Sequence, residues 1–467
     1  MAMGRRKVER QEVMFVSVVD LASAAGHPFY EKLNDMLQAL DFDHQVETMC
    51  ASFYHAKLGR PGIAPGVYFR MLLIGYFEGI DSERGIAWRV ADSLSLRRFL
   101  GYDLSQQTPD HSSLSRVRQR LDSNTHARVF QMVLRALSQA GLIKGRTIGV
   151  DATTLEANAA MRSIVRKEGV EGAGQTYDQF LTQLAENAGI DEPTRSDLAR
   201  LDRKRPKKGS NDEWENPNDP DAKITKMKDG RTHLAHKVEH VVEMTPGSVP
   251  ALLGVSLHPA NQGDTTTGHQ SVDEAFEHVA SATADDDGEI PAGMFEEVVA
   301  DKGYHSNDSL LGFEQRGVRP QISEPDRGRR RWKDKAEAKR AVYANRRLVR
   351  SDKGKRLQRQ RGEKLERTHA HMYETGGMRR THLRGHGKIL KRLLVHAAGY
   401  NLGLLMRALF GIGKPRTLQG LSKALRAALR ACMRCWWVLS ALLLAWLVAW
   451  RDTQRLSPPN TPSLAAA

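Results

Sequence analysis

The hydrophobic pattern of this chain changes period once, near residue 145, and that change limits what it can fold into. Before it, "PGVYFRMLLIGYFEGIDSERGIAWRVADSLSLRRFLGYDL" carries apolar residues at helical spacing, interrupted from Gly79 to Ser82, where Asp81 or Ser82 can cap a following helix. After it come short β-branched runs: "TIGV" into Asp151, "LAHKVEHVVEM", "ALLGVSLHP" and "EVVA" into Asp301. An all-helical region followed by an α/β region is the arrangement this predicts, and 467 residues suffice for two or three cores.

In "TPDHSSLSRVRQRL", Thr108 is the expected N-cap and Pro109 the first helical residue. Leu114, Val117 and Leu121 share one face, and Arg116, Gln119 and Arg120 another. A basic, Gln-bearing face after two earlier helices fits a helix-turn-helix reader of DNA and fits equally an ordinary amphipathic helix. The charged, Pro- and Asn-rich interval from about 190 to 230 reads as a long loop or insertion with little core of its own.

Charge is unevenly placed. The net charge is +15, yet residues 321 to 400 alone hold 24 Lys and Arg against 8 Asp and Glu, an excess of sixteen. A block of that size, Arg329, Arg330 and Arg331 included, points to a polyanion, because neutralising phosphates releases counterions. The three cysteines, Cys50, Cys432 and Cys435, give no disulfide framework, and the lone C-x-x-C lacks a second pair for zinc. "CWWVLSALLLAWLVAW", residues 435 to 450, is uncharged but shorter than the roughly 20 residues of a spanning helix, so packing in a core or at an interface is expected. No secretory leader and no phosphate-binding Gly loop are read, so no nucleotide cofactor is expected.

Two strands thus run into acids, Asp151 and Asp301. Neighbouring carboxylates repel unless hard cations lie between them, and oxygen-rich sites of this kind take Mg²⁺, with Mn²⁺ an alternative. Two such ions, about 3.5 to 4 Å apart, can activate an attacking oxygen and stabilise a leaving one at a phosphodiester. Glu363, Glu366 and Glu374 are the candidates for a third acid. Asp264, in "QGDTTTG", competes with Asp301 but reads as a turn-capping residue. His369, His371, His382 and His386 lack clean ligand spacing and are expected to contact DNA or line a wet helix face.

The order Asp151 in "GVDATTLEANAA", Asp301 in "VVADKGYHS" and an acid in "GEKLERTHAHMYETGGMRRTHLRG" resembles the DDE transposases of bacterial insertion sequences. Supporting strings are "SERGIAWRVADSLSLRRFLG", "TPDHSSLSRVRQRL", "DPDAKITKMKDGRTHLAHKVEH", "NQGDTTTG" and "HAAGYNLGLLMRALFGIG". The resemblance covers about residues 10 to 420. It implies an α/β, ribonuclease-H-like mixed sheet with flanking helices behind an all-helical N-terminal domain. The expected divisions are a DNA-binding domain at 1–140, a catalytic domain at 141–420 with an insertion near 158–232, and a hydrophobic helix and tail at 421–467. It also implies metal-dependent strand cleavage and transfer at terminal inverted repeats, double-stranded DNA of element ends and target as partner, a homodimer in a synaptic complex, and a cytoplasmic, nucleoid-associated protein. Glu366 is the third acid by its Glu-Arg string and mid-helix placement, with Asp151 and Asp301 the other metal ligands. Gly362 and Tyr373 stand where the family commonly has Arg and Lys. A nuclease of the same fold, or a catalytically silent DNA-binding descendant, remains the alternative.

Overall fold

The computed structural model describes residues 26–55, 62–205, 209–227, 230–284, 291, 293–326, 328 and 330–415. Arg329, both cysteines of the C-x-x-C pair and the 435–450 segment lie outside them. The described residues up to Gly413 form one compact unit.

Among the described residues, seven α-helices precede the sheet: α1 (Pro28–Ala39), α2 (Phe42–Cys50), α3 (Pro65–Glu78), α4 (Glu83–Ala91), α5 (Leu94–Phe99), α6 (His111–Arg120) and α7 (Ser123–Gln139). Gly79 ends α3 in the left-handed conformation, and the Ser82 hydroxyl caps α4 by accepting from the Gly85 amide. In α6 the cap is Asp110, not Thr108, because the Asp110 carboxylate accepts the Ser113 amide at 2.8 Å. Buried Tyr68, Phe69 and Leu73 of α3 and Phe130 and Leu134 of α7 build the core of this region.

The sheet follows. Its strands are β1 (Thr147–Glu156), β4 (Lys223–Lys226), β5 (Thr232–Glu243), β6 (Leu252–Pro259), β7 (Glu297–Ala300) and β8 (Arg319–Ile322). β5 pairs antiparallel with β1 on one side and with β4 and β6 on the other, while β1, β7 and β8 run parallel. β8 was not legible in the sequence, since its "RPQI" is too short and polar to stand out. Asp151 lies mid-strand rather than at a strand end, for β1 continues five residues past it against β5.

Between β1 and β4 sits the insertion: β2 (Val165–Arg166) pairs with β3 (Trp214–Glu215) beside α8 (Tyr177–Asn187) and α9 (Arg195–Lys204). It has a small core after all. Ile164, Trp214 and Ala222 are buried with Ala157 and Leu234 of the main sheet, and Tyr177 and Phe180 pack on Trp214. Aromatic residues scattered between Tyr177 and Trp214 give no periodic signal, so a sequence reading as open loop was to be expected.

Helices cover both faces. α10 (Asp264–Thr283) packs on β6 so closely that a Cβ on Gly254 would stand 2.6 Å from that of Ala275. α11 (Asn307–Gln315) and α12 (Ala336–Arg350) flank β8, and α13 (Asp352–Ala370) crosses β7, β1 and β5 on the other face. α14 (His386–Phe410), the one described helix apolar and long enough for a membrane, is mostly buried in this core.

Two buried asparagines tie the outer strands to their flanking helices. Asn401 of α14 accepts from Leu252 N at 3.0 Å and donates to Leu252 O at 2.8 Å, and Asn345 of α12 makes the same pair with Ile322 at 2.9 and 2.7 Å. Each side-chain amide thus satisfies both outward backbone groups of one edge-strand residue, as a neighbouring strand would. Asn401→Ala is expected to lower the unfolding free energy by about 1–3 kcal/mol, because two buried backbone groups lose their partners. Urea unfolding of the parent and variant measures it, and equal midpoints would show that water replaces the amide without penalty.

Candidate active site

Strand register brings the two aspartates together. Gly149 pairs with Val299 in the parallel β1–β7 ladder, so two residues further on Asp151 of β1 stands level with Asp301, the residue just past the end of β7. Alternation puts both on the face of Gly149 and Val299, which is the face under α13: Val299 is buried with Met244 and Leu357, and Leu365 lies over Gly149. Asp301 follows the last residue of β7, and its Oδ1 accepts the Gly303 amide at 2.7 Å at the start of a short 3₁₀ turn.

Asp151 is half-buried beneath α13. Arg361 Nη1 lies 3.9 Å from its Oδ1, and His369 Nε2 3.7 Å from its Oδ2. Burial alone would raise this carboxyl, but His369 and Arg361 outweigh it and hold the group below the usual carboxylate range. His369 in turn stacks on His240 of β5, ring centroids 4.3 Å apart, and His240 Nδ1 is 3.1 Å from the Thr368 hydroxyl. Burial and the neighbouring His369 push His240 well below its ordinary value, so it stays neutral.

The three candidate glutamates separate by helical phase. Lys364 donates to the Met244 carbonyl, at the end of the sheet where β1 begins. Two residues on, at about 100° each, Glu366 lies on the opposite edge of α13. Tyr373, in the π-helical turn His371–Thr375 that follows α13, donates its hydroxyl to the Thr154 carbonyl at 2.7 Å, past Asp151 along β1. Glu366 therefore leans toward the end of the sheet that carries both aspartates, and it is solvent-exposed with no ion pair among the described residues. Glu363 points away from the sheet and pairs with Arg367, and Glu374 pairs with Arg379.

Other sequence expectations divide. The four histidines lie in four settings and not in one cluster: His371 beside Tyr400, His382 on Asp81, His386 beside His236, and His369 buried at Asp151 instead of on a wet face. Asp264 is not a turn cap; it is the first residue of α10 and pairs with Lys237 Nζ at 2.6 Å. Arg116, Gln119 and Arg120 are exposed on α6, and both arginines line a cleft of about 570 Å³ together with Tyr102, Gln107 and Thr108. The eleven residues from Leu100 to Asp110 between α5 and α6 exceed a helix-turn-helix turn. Arg330 is tied to Glu324 at 2.7 Å, whereas Arg331 is exposed. Arg346 and then Arg330, working against partial burial, hold the Glu324 carboxyl at about 2.

Asp151, Asp301 and Glu366 offer hard oxygen donors, the set that suits Mg²⁺ or Mn²⁺. Among the described residues no three His, Cys, Asp or Glu groups already stand at metal-binding spacing. Residues the sequence reading passed over are Arg361, Lys237 and Glu239. The signal for the last two was present, in charged residues alternating within an otherwise apolar strand, "LAHKVEHVVE".

Comparison with known families now adds to this geometry. Residues 19–120 match a transposase domain (DUF772), and residues 320–406 match a transposase DDE domain. No curated protein matches the chain. The fold and the two matches define a transposase with a ribonuclease-H-like α/β domain behind a helical region. More narrowly, the two matches together support a DDE transposase of an insertion sequence.

Gly303 is a sharp test of this site. A Cβ there would stand 2.5 Å from Asp264 Oδ2 and 3.0 Å from Asp301 Oδ1, so Gly303→Ala relieves the clash by turning those carboxylates aside. Metal-dependent nicking is expected to fall at least about 100-fold, on the scale of a 1 Å misplacement of reacting groups, while the unfolding midpoint moves little. Normal nicking by the folded variant would show that neither carboxylate needs its present aim.

Proposed function

We propose that this transposase binds the terminal inverted repeats of its element and catalyses divalent-metal-dependent strand cleavage and strand transfer, with Asp151, Asp301 and Glu366 holding the metal. The level placement of Asp151 in β1 and Asp301 at the end of the parallel β7, under α13, carries this reading. When bound, Mg²⁺ or Mn²⁺ supplies Lewis acidity toward the attacking and leaving oxygens of the phosphodiester. The protein's part is to aim carboxylates. Asp151 is kept ionised by Arg361 and His369, Asp301 is fixed by the Gly303 amide, and Glu366 leans in from the rim of α13.

DNA lies across basic surface in this reading. Arg347, Arg350, Arg356 and Arg359 are exposed along α12 and α13 and serve as backbone contacts. Arg116, Gln119 and Arg120 of α6 face the terminal repeat. The protein acts as a homodimer that synapses two ends, in the cytoplasm at the nucleoid.

Asp151→Asn, Asp301→Asn and Glu366→Gln should each abolish nicking of an end-containing duplex in Mg²⁺, with metal-free gel shifts unchanged. Full activity of Glu366→Gln together with loss in Glu363→Gln or Glu374→Gln would move the third ligand. Joined donor–target product, beyond nicks, separates transposase from nuclease.

Replacing Arg116 and Arg120 by Ala is expected to reduce preference for the terminal repeat over random DNA, each base contact being worth about 1–3 kcal/mol. Replacing Arg356 and Arg359 should weaken binding evenly and flatten its salt dependence. Competition gel shifts at several salt concentrations read both, and an unchanged preference in the α6 variant would leave that helix a packing element.

A further inference from the structure

Beneath Asp301, on the sheet face opposite Asp151, lies a buried charged network that the proposed chemistry does not use. Lys237 and Glu239 project from β5 toward α10. Lys237 Nζ is 2.9 Å from Glu239 Oε1 and 2.6 Å from Asp264 Oδ1, and it donates to Thr267 Oγ1 at 2.8 Å. Glu239, fully buried, accepts from the hydroxyls of Thr267 and Ser271, both at 2.5 Å, and of Tyr304 at 3.2 Å. His258 Nε2 is 2.9 Å from the Ser271 hydroxyl, which continues the chain of bonds.

A buried acid and lysine carry a large desolvation penalty and are poor devices for stability alone. This network reaches the candidate site at two points. Tyr304 is the last residue of the 3₁₀ turn that begins at Asp301, so its bond to Glu239 anchors that turn from below. Asp264, held by Lys237, presents its other oxygen to Gly303, against which Asp301 Oδ1 also lies. Tyr304 stays protonated as a donor, since burial and the charges of Glu239, Asp264 and Asp151 push its hydroxyl well above the ordinary value. Gly268 of α10 fits under the ring, where a Cβ would stand 2.7 Å from Tyr304 Cδ1, so the ring has one seat.

We propose that Lys237 and Glu239 are positioning residues for Asp301, acting through Tyr304 and Asp264 to hold the Asp301–Tyr304 turn in metal-binding geometry. The proposal rests on Asp301 being a metal ligand, and it makes the α10 face of the sheet the outer support of a site on the α13 face. Supports of this kind commonly govern metal affinity about 10- to 100-fold.

The experiment uses the full-length chain and Mn²⁺, whose free ion is followed by electron paramagnetic resonance. Tyr304→Phe removes one hydroxyl and keeps the ring, and Asp264→Asn removes the charge that Lys237 holds. Each is expected to weaken Mn²⁺ binding at least about 10-fold, with circular dichroism and metal-free DNA binding unchanged. Lys237→Arg should retain more affinity than Lys237→Met, a rescue that a packing role alone would not give. Parental Mn²⁺ affinity in folded Tyr304→Phe and Asp264→Asn, with affinity lost in Asp301→Asn, overturns the positioning role and leaves the metal site standing. Parental affinity in Asp301→Asn overturns the site itself, and the positioning role with it.

Discussion

Everything at the candidate site depends on the parallel pairing of β1 with β7. That ladder sets Gly149 beside Val299 and so Asp151 beside Asp301. A slip of one residue would turn one carboxylate to the opposite face, toward α10. The pairing is fixed by burial on both faces, since Ile148, Val150, Val298, Val299 and Ala300 are all fully or almost fully buried. Hydrophobic packing therefore sets the position of two acids that electrostatics alone would drive apart.

Their mutual repulsion is met locally and asymmetrically. Asp151 has Arg361 and His369 on α13, whereas Asp301 has a backbone amide and the support of the turn below it. At Asp151 the balance favours the ionised form, as a carboxylate that binds a hard cation requires. The helix that shields Asp151 also carries Glu366, the proposed third acid, on its rim, so α13 joins it to Arg361 and His369 in one rigid element.

Much of this was legible in the sequence. The switch of period near residue 145 separated helical region from sheet, and the runs ending in Asp151 and Asp301 located strands that prove adjacent. What stayed hidden depends on long-range pairing. That β1 passes through Asp151 is decided by β5, more than eighty residues away. That Trp214 closes a small core with Ile164, or that His369 is buried on Asp151 instead of facing water, follows from tertiary contacts that no local periodicity encodes. The Lys237–Glu239 pair was visible as charge within an apolar strand, but its partners lie in α10 and the 3₁₀ turn, and only the fold joins them.

The central claim is that Asp151 and Asp301 share one metal site. Its most direct test is anomalous diffraction from crystals of the full-length chain grown with Mn²⁺. The account predicts a manganese peak between the two carboxylates, lost in crystals of the Asp151→Asn variant. Manganese bound elsewhere, with none between those two residues, would contradict it.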